Sequence, residues 1–320
     1  MLKKIGLITV WIICFIIFDC VICRHLLHLG YPSDFSNYHT IRPPRIYTEF
    51  TTEWLAKETS FDKMKFWPDD DSIKIAFFGG STGVPVNPEF LASELSKRLN
   101  KKASAANFSC WSANHTQHLH LLLEVLHNGS PDIVIFYGGR NETVQQGYHD
   151  PRPGYTYSYY YRGETPAFIK VLIENSALIG ALEWKFNRLT NLEKLRREYK
   201  PFSKGWNKTI EAKYFENLAL SKRVSESLPS KHFGNAKFIA FYQPYRAEMH
   251  PQFLKAHERI REKIKDYDYI IDLYDLYKPL GEGVFRDDCH VEQKATDLLT
   301  SVIAEITADK ILKNKKGAKR

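Results

Sequence analysis

The chain has 320 residues, 43% hydrophobic and 26% charged, with a formal net charge of +8. That length can bury a sizeable core in one large domain or two small ones, and the composition is globular rather than disordered or fibrous. Part of the positive excess sits in the tail, at Lys310, Lys313, Lys315, Lys316, Lys319 and Arg320; the rest is scattered without a nucleic-acid motif, so no nucleic-acid partner is expected.

Lys3 and Lys4 precede an apolar run, Ile5 to Cys23, interrupted by Asp19. Its length is close to the ~20 residues that span a bilayer. No A-x-A-like cleavage site follows, which weighs against a removed signal peptide. Two lysines lie before the run and Arg24 alone closely after it, which places the amino terminus in the cytoplasm and the bulk outside. The expected organisation is a membrane anchor over 1–24, touching the bilayer through 5–23. A linker and packing segment follows over 25–71, then a domain over 72–313 and a basic tail over 314–320. Of five cysteines, Cys14, Cys20 and Cys23 lie in the apolar run. Only Cys110 and Cys289 remain, and no CxxC with a partner pair signals a structural zinc site.

Ile73 to Phe78 is an apolar run closed by Gly79 and Gly80, the pattern of a buried strand ending in a tight turn. The turn delivers Ser81 at the strand's C-terminal end, where open α/β sheets place ligands. Taken alone, Gly79-Gly80-Ser81-Thr82 reads more simply as a polar loop after a core strand. Pro88 to Asn100 reads as a helix with proline in its first turn. Ala103 to Phe108 reads as a strand, Ser109 to Asn114 as a loop and Thr116 to His127 as a Leu-rich helix. Asn128-Gly129 closes that helix, and Ile133 to Tyr137 follows as a β-branched and aromatic strand. Strand, loop and helix thus recur, which argues for a parallel sheet with crossover helices. Tyr148 to Tyr161 reads as a tyrosine-rich surface loop and Phe168 to Tyr199 as largely helical. Beyond these come a strand over Ala236 to Tyr242, a helix over His250 to Ile264, a strand over Tyr269 to Leu273 and a helix over Glu292 to Leu312.

Near the C-terminus, Asp287 stands three residues before His290. That spacing can put a carboxylate beneath the imidazole, fixing its tautomer and stabilising the imidazolium. Singly, Asp-x-x-His is also an ordinary surface pair, and Asp288 competes for the same role with poorer spacing. His115, His118 and His120 share one helix, but only His115 and His118 fall on one side and no carboxylate is placed with them, so no metal is expected. The Ser81 loop lacks the lysine of a phosphate loop and the spacing of a dinucleotide fingerprint, so no cofactor is expected.

In combination these pieces resemble the SGNH (GDSL-like) hydrolase family. The first family block, Gly-x-Ser, is matched by Gly79-Gly80-Ser81. The third is matched by Pro131-Asp132-Ile133-Val134-Ile135-Phe136-Tyr137-Gly138-Gly139-Arg140-Asn141-Glu142, and the last by Asp287 and His290. The second has its asparagine at Asn107 but Ser112 where glycine is usual. The resemblance covers about residues 70 to 310 and implies a three-layer α/β/α, flavodoxin-like fold with a central parallel sheet. It implies a nucleophilic Ser81, a base His290, an orienting Asp287, and an oxyanion hole from the N–H of Ser81, the N–H of Ser112 and the Asn141 amide. Glycine at the second-block position allows a closer backbone approach than Ser112 does. The N-terminal run, Tyr137-Gly138-Gly139-Arg140-Asn141-Glu142, Phe241-Tyr242-Gln243-Pro244 and Asp287-Asp288-Cys289-His290 look most like membrane-anchored members associated with cell-surface polysaccharides. The implied activity is a serine esterase on an acylated carbohydrate, in an extracytoplasmic domain of a single-pass membrane protein. An acyltransferase with the same triad, or a non-catalytic glycan-binding or assembly protein, are the alternatives. The tyrosine loop could stack on sugars or simply pack on the sheet. The resemblance also brings Cys110 and Cys289 to one sheet edge, where an oxidising compartment would permit a disulfide.

Overall fold

The structure is a computed structural model that describes residues 66–109, 113–126, 129–145 and 206–317, with isolated positions between 10 and 22 and between 176 and 182. In chain order its elements are β1 (Ile73–Gly79), α1 (Pro88–Leu99), β2 (Ala103–Asn107), α2 (His115–Leu126) and β3 (Ile133–Gly138). A π-helical turn, Asn141–Gln145, follows β3. After it come α3 (Trp206–Glu226), the short pair β4 (Pro229–Ser230) and β5 (Gly234–Asn235), β6 (Lys237–Tyr242), α4 (Leu254–Ile264), β7 (Ile270–Asp272) and α5 (Gln293–Gly317).

The sheet runs β2-β1-β3-β6-β7 and every pairing in it is parallel. With the separate β4–β5 hairpin set aside, this is the flavodoxin-like doubly wound order, whose switch point lies between β1 and β3. The central strands are apolar on both faces because both are covered. Ile75, Phe77, Ile135, Tyr137 and Phe241 pack with Leu91 and Leu95 of α1 and Leu299 and Ile303 of α5. On the other face the rings of Phe78, Phe136 and Tyr242 meet His118 of α2 and Tyr214 of α3. Each such buried phenylalanine contributes about 2–3 kcal/mol of transfer free energy.

Local chemistry sets the element ends. Asn87 caps α1, its side-chain oxygen accepting from the N–H groups of Glu89 and Phe90 at 2.8 and 3.0 Å. Asn100 closes the helix in the left-handed region at φ 50°. The helix expected from His250 starts instead at Leu254, after 3₁₀ turns over Ala247–Met249 and Pro251–Phe253. Pro251 explains this, since the residue before a proline avoids the helical region, and His250 sits at φ −129°, ψ 60°. Helix α3 was not anticipated. Its buried face alternates Ile210, Tyr214 and Leu218 with the buried serines Ser221 and Ser225, which weaken the apolar period.

By internal contacts the chain divides into Met1–Glu49 with Tyr157–Lys200, and Phe50–Thr156 with Pro201–Arg320. All the described strands belong to the second unit. Trp67, from the expected packing segment, is buried there and its indole N–H donates to the Ile75 carbonyl at 3.0 Å. Among the described residues no helix is long and apolar enough to cross a membrane. About half of the span expected over 5–23 falls outside them, as do the tyrosine loop and almost all of Phe168 to Tyr199.

Candidate active site

Parallel register aligns the ends of the central strands. Gly79 pairs with Tyr137, and Tyr137 with Phe241, so the loops after β1, β3 and β6 emerge side by side. The loop after β1 turns back at once, the Gly83 N–H donating to the Gly80 carbonyl at 2.9 Å. Asn107, at the end of β2, holds it by donating Nδ2 to the carbonyls of Gly83 and Val86 at 3.0 and 2.8 Å. Ser81 thereby stands on a turn pinned from two sides.

The segment before α5 supplies its partners. Phe285 and Val291 bridge, and the Arg286 N–H donates to the His290 carbonyl at 2.8 Å, closing a tight loop around Asp287. Asp287 Oδ1 accepts from the N–H groups of Cys289 and His290 at 2.8 and 2.7 Å, and its Oδ2 lies 2.6 Å from His290 Nδ1. His290 Nε2 is 2.8 Å from Ser81 Oγ. With Nδ1–H given to Asp287, Nε2 carries the lone pair and the serine hydroxyl donates to it. Partial burial pushes the Asp287 carboxyl up, but the two N–H groups and the imidazole together outweigh burial and hold it below its ordinary value.

Asn141 opens the π-helical turn after β3 and is buried. Its Nδ2 donates to the Ala113 carbonyl at 2.8 Å and lies against Gly80, where an added Cβ would fall well inside contact distance of that nitrogen. Gly80 is therefore required as the floor on which the amide rests. Gly139, at φ +142° and with a Cβ position 2.7 Å from the Tyr242 ring, is required for the turn that swings Asn141 inward. Ser112, expected to supply a second oxyanion donor, lies outside the described residues, as does Cys110. Cys289 is a free, buried thiol with Sγ 3.7 Å from His290 Nδ1, and the pairing expected with Cys110 falls outside the described residues. Burial pushes that thiol strongly up.

Two expectations are corrected here. A carboxylate does accompany His115 and His118. It is Glu142, which the π-helical turn folds back beneath α2. Glu142 Oε1 lies 3.2 Å from His115 Nδ1, and the two histidine Nδ1 atoms are 3.3 Å apart. Both Glu142 oxygens also accept backbone N–H groups, from His115 at 2.8 Å and from Gly139 at 2.5 Å. These three side chains form a candidate metal cluster by distance, but the surroundings do not suit one. His115 Nε2 is buried with no partner among the described residues. A metal on Nδ1 would fix a proton there, where metal-bound histidines normally find an acceptor. The cluster fits a hydrogen-bonded tie between the Asn141 turn and α2.

The second correction concerns Asp288, which does not compete for His290. Its Oδ2 lies 2.6 Å from His250 Nε2 and accepts from Arg140 Nε and Nη2 at 2.9 and 2.8 Å. Burial pushes its carboxyl up, but the His250 hydrogen bond and the Arg140 charge prevail and hold it well below the usual carboxylate range. Sequence spacing carried no signal for either partner.

The buried histidines make stability depend on pH. Burial pulls His115 and His118 down to about 3 from 6.5. Their contribution is full above the unfolded value and is lost as pH falls from 6.5 towards 3, because the unfolded chain takes up protons that the fold refuses. At pH 5 each would have lost about 2 kcal/mol. Glu142, raised by burial above its ordinary 4.5, acts in the opposite direction from that value upward, so it offsets part of the histidine loss within the same range. Urea titrations at pH 7 and pH 5 should show the loss, and a His115→Gln/His118→Gln double variant should show a much flatter profile. Equal wild-type stability at both pH values would refute the assignment.

No protein-family model matches the chain, and no curated protein matches its sequence. Solved structures do align with it. A Bacteroides fragilis protein provisionally designated an acylhydrolase is 13% identical, covering 76% of this chain and 90% of its own, at a TM-score of 0.42. The acetyl xylan esterase AlAXEase is 13% identical, covering 73% and 99%, at a TM-score of 0.36. LAE5, an alpha/beta hydrolase enzyme from the metagenome of Lake Arreo, is 12% identical, covering 75% and 95%, at a TM-score of 0.42.

Proposed function

We propose that the protein is a serine acyl hydrolase of the SGNH type that removes acyl groups from a cell-surface carbohydrate. The observation that carries it is the unbroken line from Ser81 Oγ to His290 Nε2 at 2.8 Å and from His290 Nδ1 to Asp287 Oδ2 at 2.6 Å, beside the Asn141 amide. In this mechanism His290 takes the hydroxyl proton as Ser81 attacks an ester carbonyl, and Asp287 stabilises the resulting imidazolium. The tetrahedral oxyanion takes hydrogen bonds from Asn141 Nδ2 and backbone N–H groups, which matter most as charge develops. Collapse expels the alcohol, protonated by His290. Water, activated by the same imidazole, then frees the acid and restores Ser81.

Incubating the purified protein with p-nitrophenyl acetate and acetylated glycans, and following both free acetate and transferred acetyl, tests the reaction. Free acetate supports the hydrolase; acetyl appearing on an acceptor sugar assigns a transferase using the same residues. Absence of both with every acyl donor would reject acyl chemistry. The apolar run after Lys3 and Lys4 supports an anchored, extracytoplasmic domain. Alkaline phosphatase fused after Gly30 should be active and a fluorescent protein dark there; the reverse pattern would overturn that topology.

A further inference from the structure

We propose that Arg140, Asp288 and His250 form a positioning cluster that holds the Asn141 amide and the Asp287–His290 pair in register with each other. This rests on the serine-hydrolase assignment above and extends it to residues that do not touch the reacting atoms. The three come from three separate loops at the C-terminal edge of the sheet. Arg140 follows β3 and precedes Asn141 directly. His250 lies between the 3₁₀ turns after β6. Asp288 adjoins Asp287 in the loop before α5.

One oxygen gathers them. Asp288 Oδ2 takes His250 Nε2 and both Arg140 Nε and Nη2, all within 2.9 Å. The Asp288 carbonyl adds a backbone tie, accepting the Arg246 N–H at 2.7 Å. Arg140 then reaches forward, its Nη1 lying 3.4 Å from Asn141 Oδ1, on the amide end opposite the Nδ2 that faces Gly80. Asn141 is thus oriented from one end by Arg140 and from the other by Ala113. The side chains of Arg140, Asp288 and His250 are only 17%, 14% and 15% exposed. Ion pairs so shielded are screened far less than surface pairs, and a forked guanidinium fixes direction as well as distance. A lysine at 140 could supply charge but not two donors held in one plane and aimed at one oxygen.

The geometry has a consequence for catalysis. Asp287 and Asp288 are neighbours with divided labour. Asp287 points at His290, and Asp288 anchors the loop that carries both. If Asp288 releases Arg140, the Asn141 amide and the His290 imidazole lose their shared reference, and a small misplacement of either costs rate rather than binding.

The test compares wild type with Asp288→Asn, Arg140→Lys and His250→Ala by two readouts, each scaled to folded protein measured by circular dichroism. The first is esterase kinetics together with the rate of Ser81 labelling by a fluorophosphonate. The second is the downfield proton resonance of His290 Nδ1–H, which reports the bond to Asp287 without any substrate. Asp288→Asn should lower kcat and the labelling rate about 10- to 100-fold with KM within twofold, and should shift or broaden the resonance. Arg140→Lys, which keeps the charge but loses the planar fork, should lower the rates and shift the resonance in the same way. A purely structural role would lower the folded fraction and leave the rate per folded molecule unchanged. Folded Asp288→Asn and Arg140→Lys that keep the wild-type resonance and rates would overturn the cluster. A resonance altered by Asp288→Asn, in a wild type that neither turns over nor labels, would uphold the cluster and reject the hydrolase assignment instead.

Discussion

Ser81→Ala is expected to lower kcat on the order of 10⁶-fold, with little change in folding stability. The serine hydroxyl is the group that would form the acyl bond, and its Oγ lies 2.8 Å from His290 Nε2. Cys289 is not a substitute, since burial holds its thiol protonated. His290→Ala should come close to the same loss, because an alcohol at neutral pH is barely nucleophilic without its base. Asp287→Asn should keep the fold but replace the acceptor of the imidazole proton, favouring the wrong tautomer. Since the three act as one unit, a double variant should lose little beyond the larger single loss. Steady-state kinetics on folded variants and fluorophosphonate labelling check this together. Wild-type activity retained by Ser81→Ala would remove the serine mechanism.

How far the chain itself discloses this site depends on the range of each interaction. Strands β1 and β3 are legible because both faces are covered, so Ile73–Gly79 and Ile133–Gly138 appear as apolar runs ended by glycine, the first interrupted only by Lys74. Helix α1 was legible from Pro88 and its leucine stripe. Asp287 and His290 were legible because one turn of chain places them together. What escaped was whatever required distant segments to meet. Arg140 and Asp288 are 148 positions apart, and His250 and Asp288 are 38 apart. No local spacing announces either pair. Glu142 sat in plain view as the residue after Asn141, yet its approach to His115 depends on a π-helical turn that has no strong sequence signature. Helix α3 escaped for a simpler reason, that serines take up part of its buried face. Local pattern thus predicts the layers and the Asp287–His290 pair, while the link from that pair to Ser81 is what the family resemblance implies. The supports beneath the triad are made by tertiary contacts between loops.

Gly80→Ala is expected to imitate Asn141→Ala, although it removes no functional group. Asn141→Ala deletes the amide proposed to meet the oxyanion, and loss of one such donor costs about 10²–10³ in kcat, roughly 3–4 kcal/mol. KM should stay nearly constant, because that bond strengthens only as negative charge forms. In Gly80→Ala the new methyl would overlap Asn141 Nδ2. The amide cannot simply yield, since Nδ2 is tied to the Ala113 carbonyl and Oδ1 faces Arg140. Either the amide or the Ser81 turn must move, and both routes separate the donor from the oxyanion. A loss of about 10²-fold in kcat follows. The double variant distinguishes this from general damage. With Asn141 already truncated to alanine, the methyl at 80 has far less to displace on that side, so it should add little further loss, a coupling expected of residues in contact. Losses that multiply fully, or a Gly80→Ala enzyme with wild-type kcat, would show that the amide does not rest on Gly80 during the reaction.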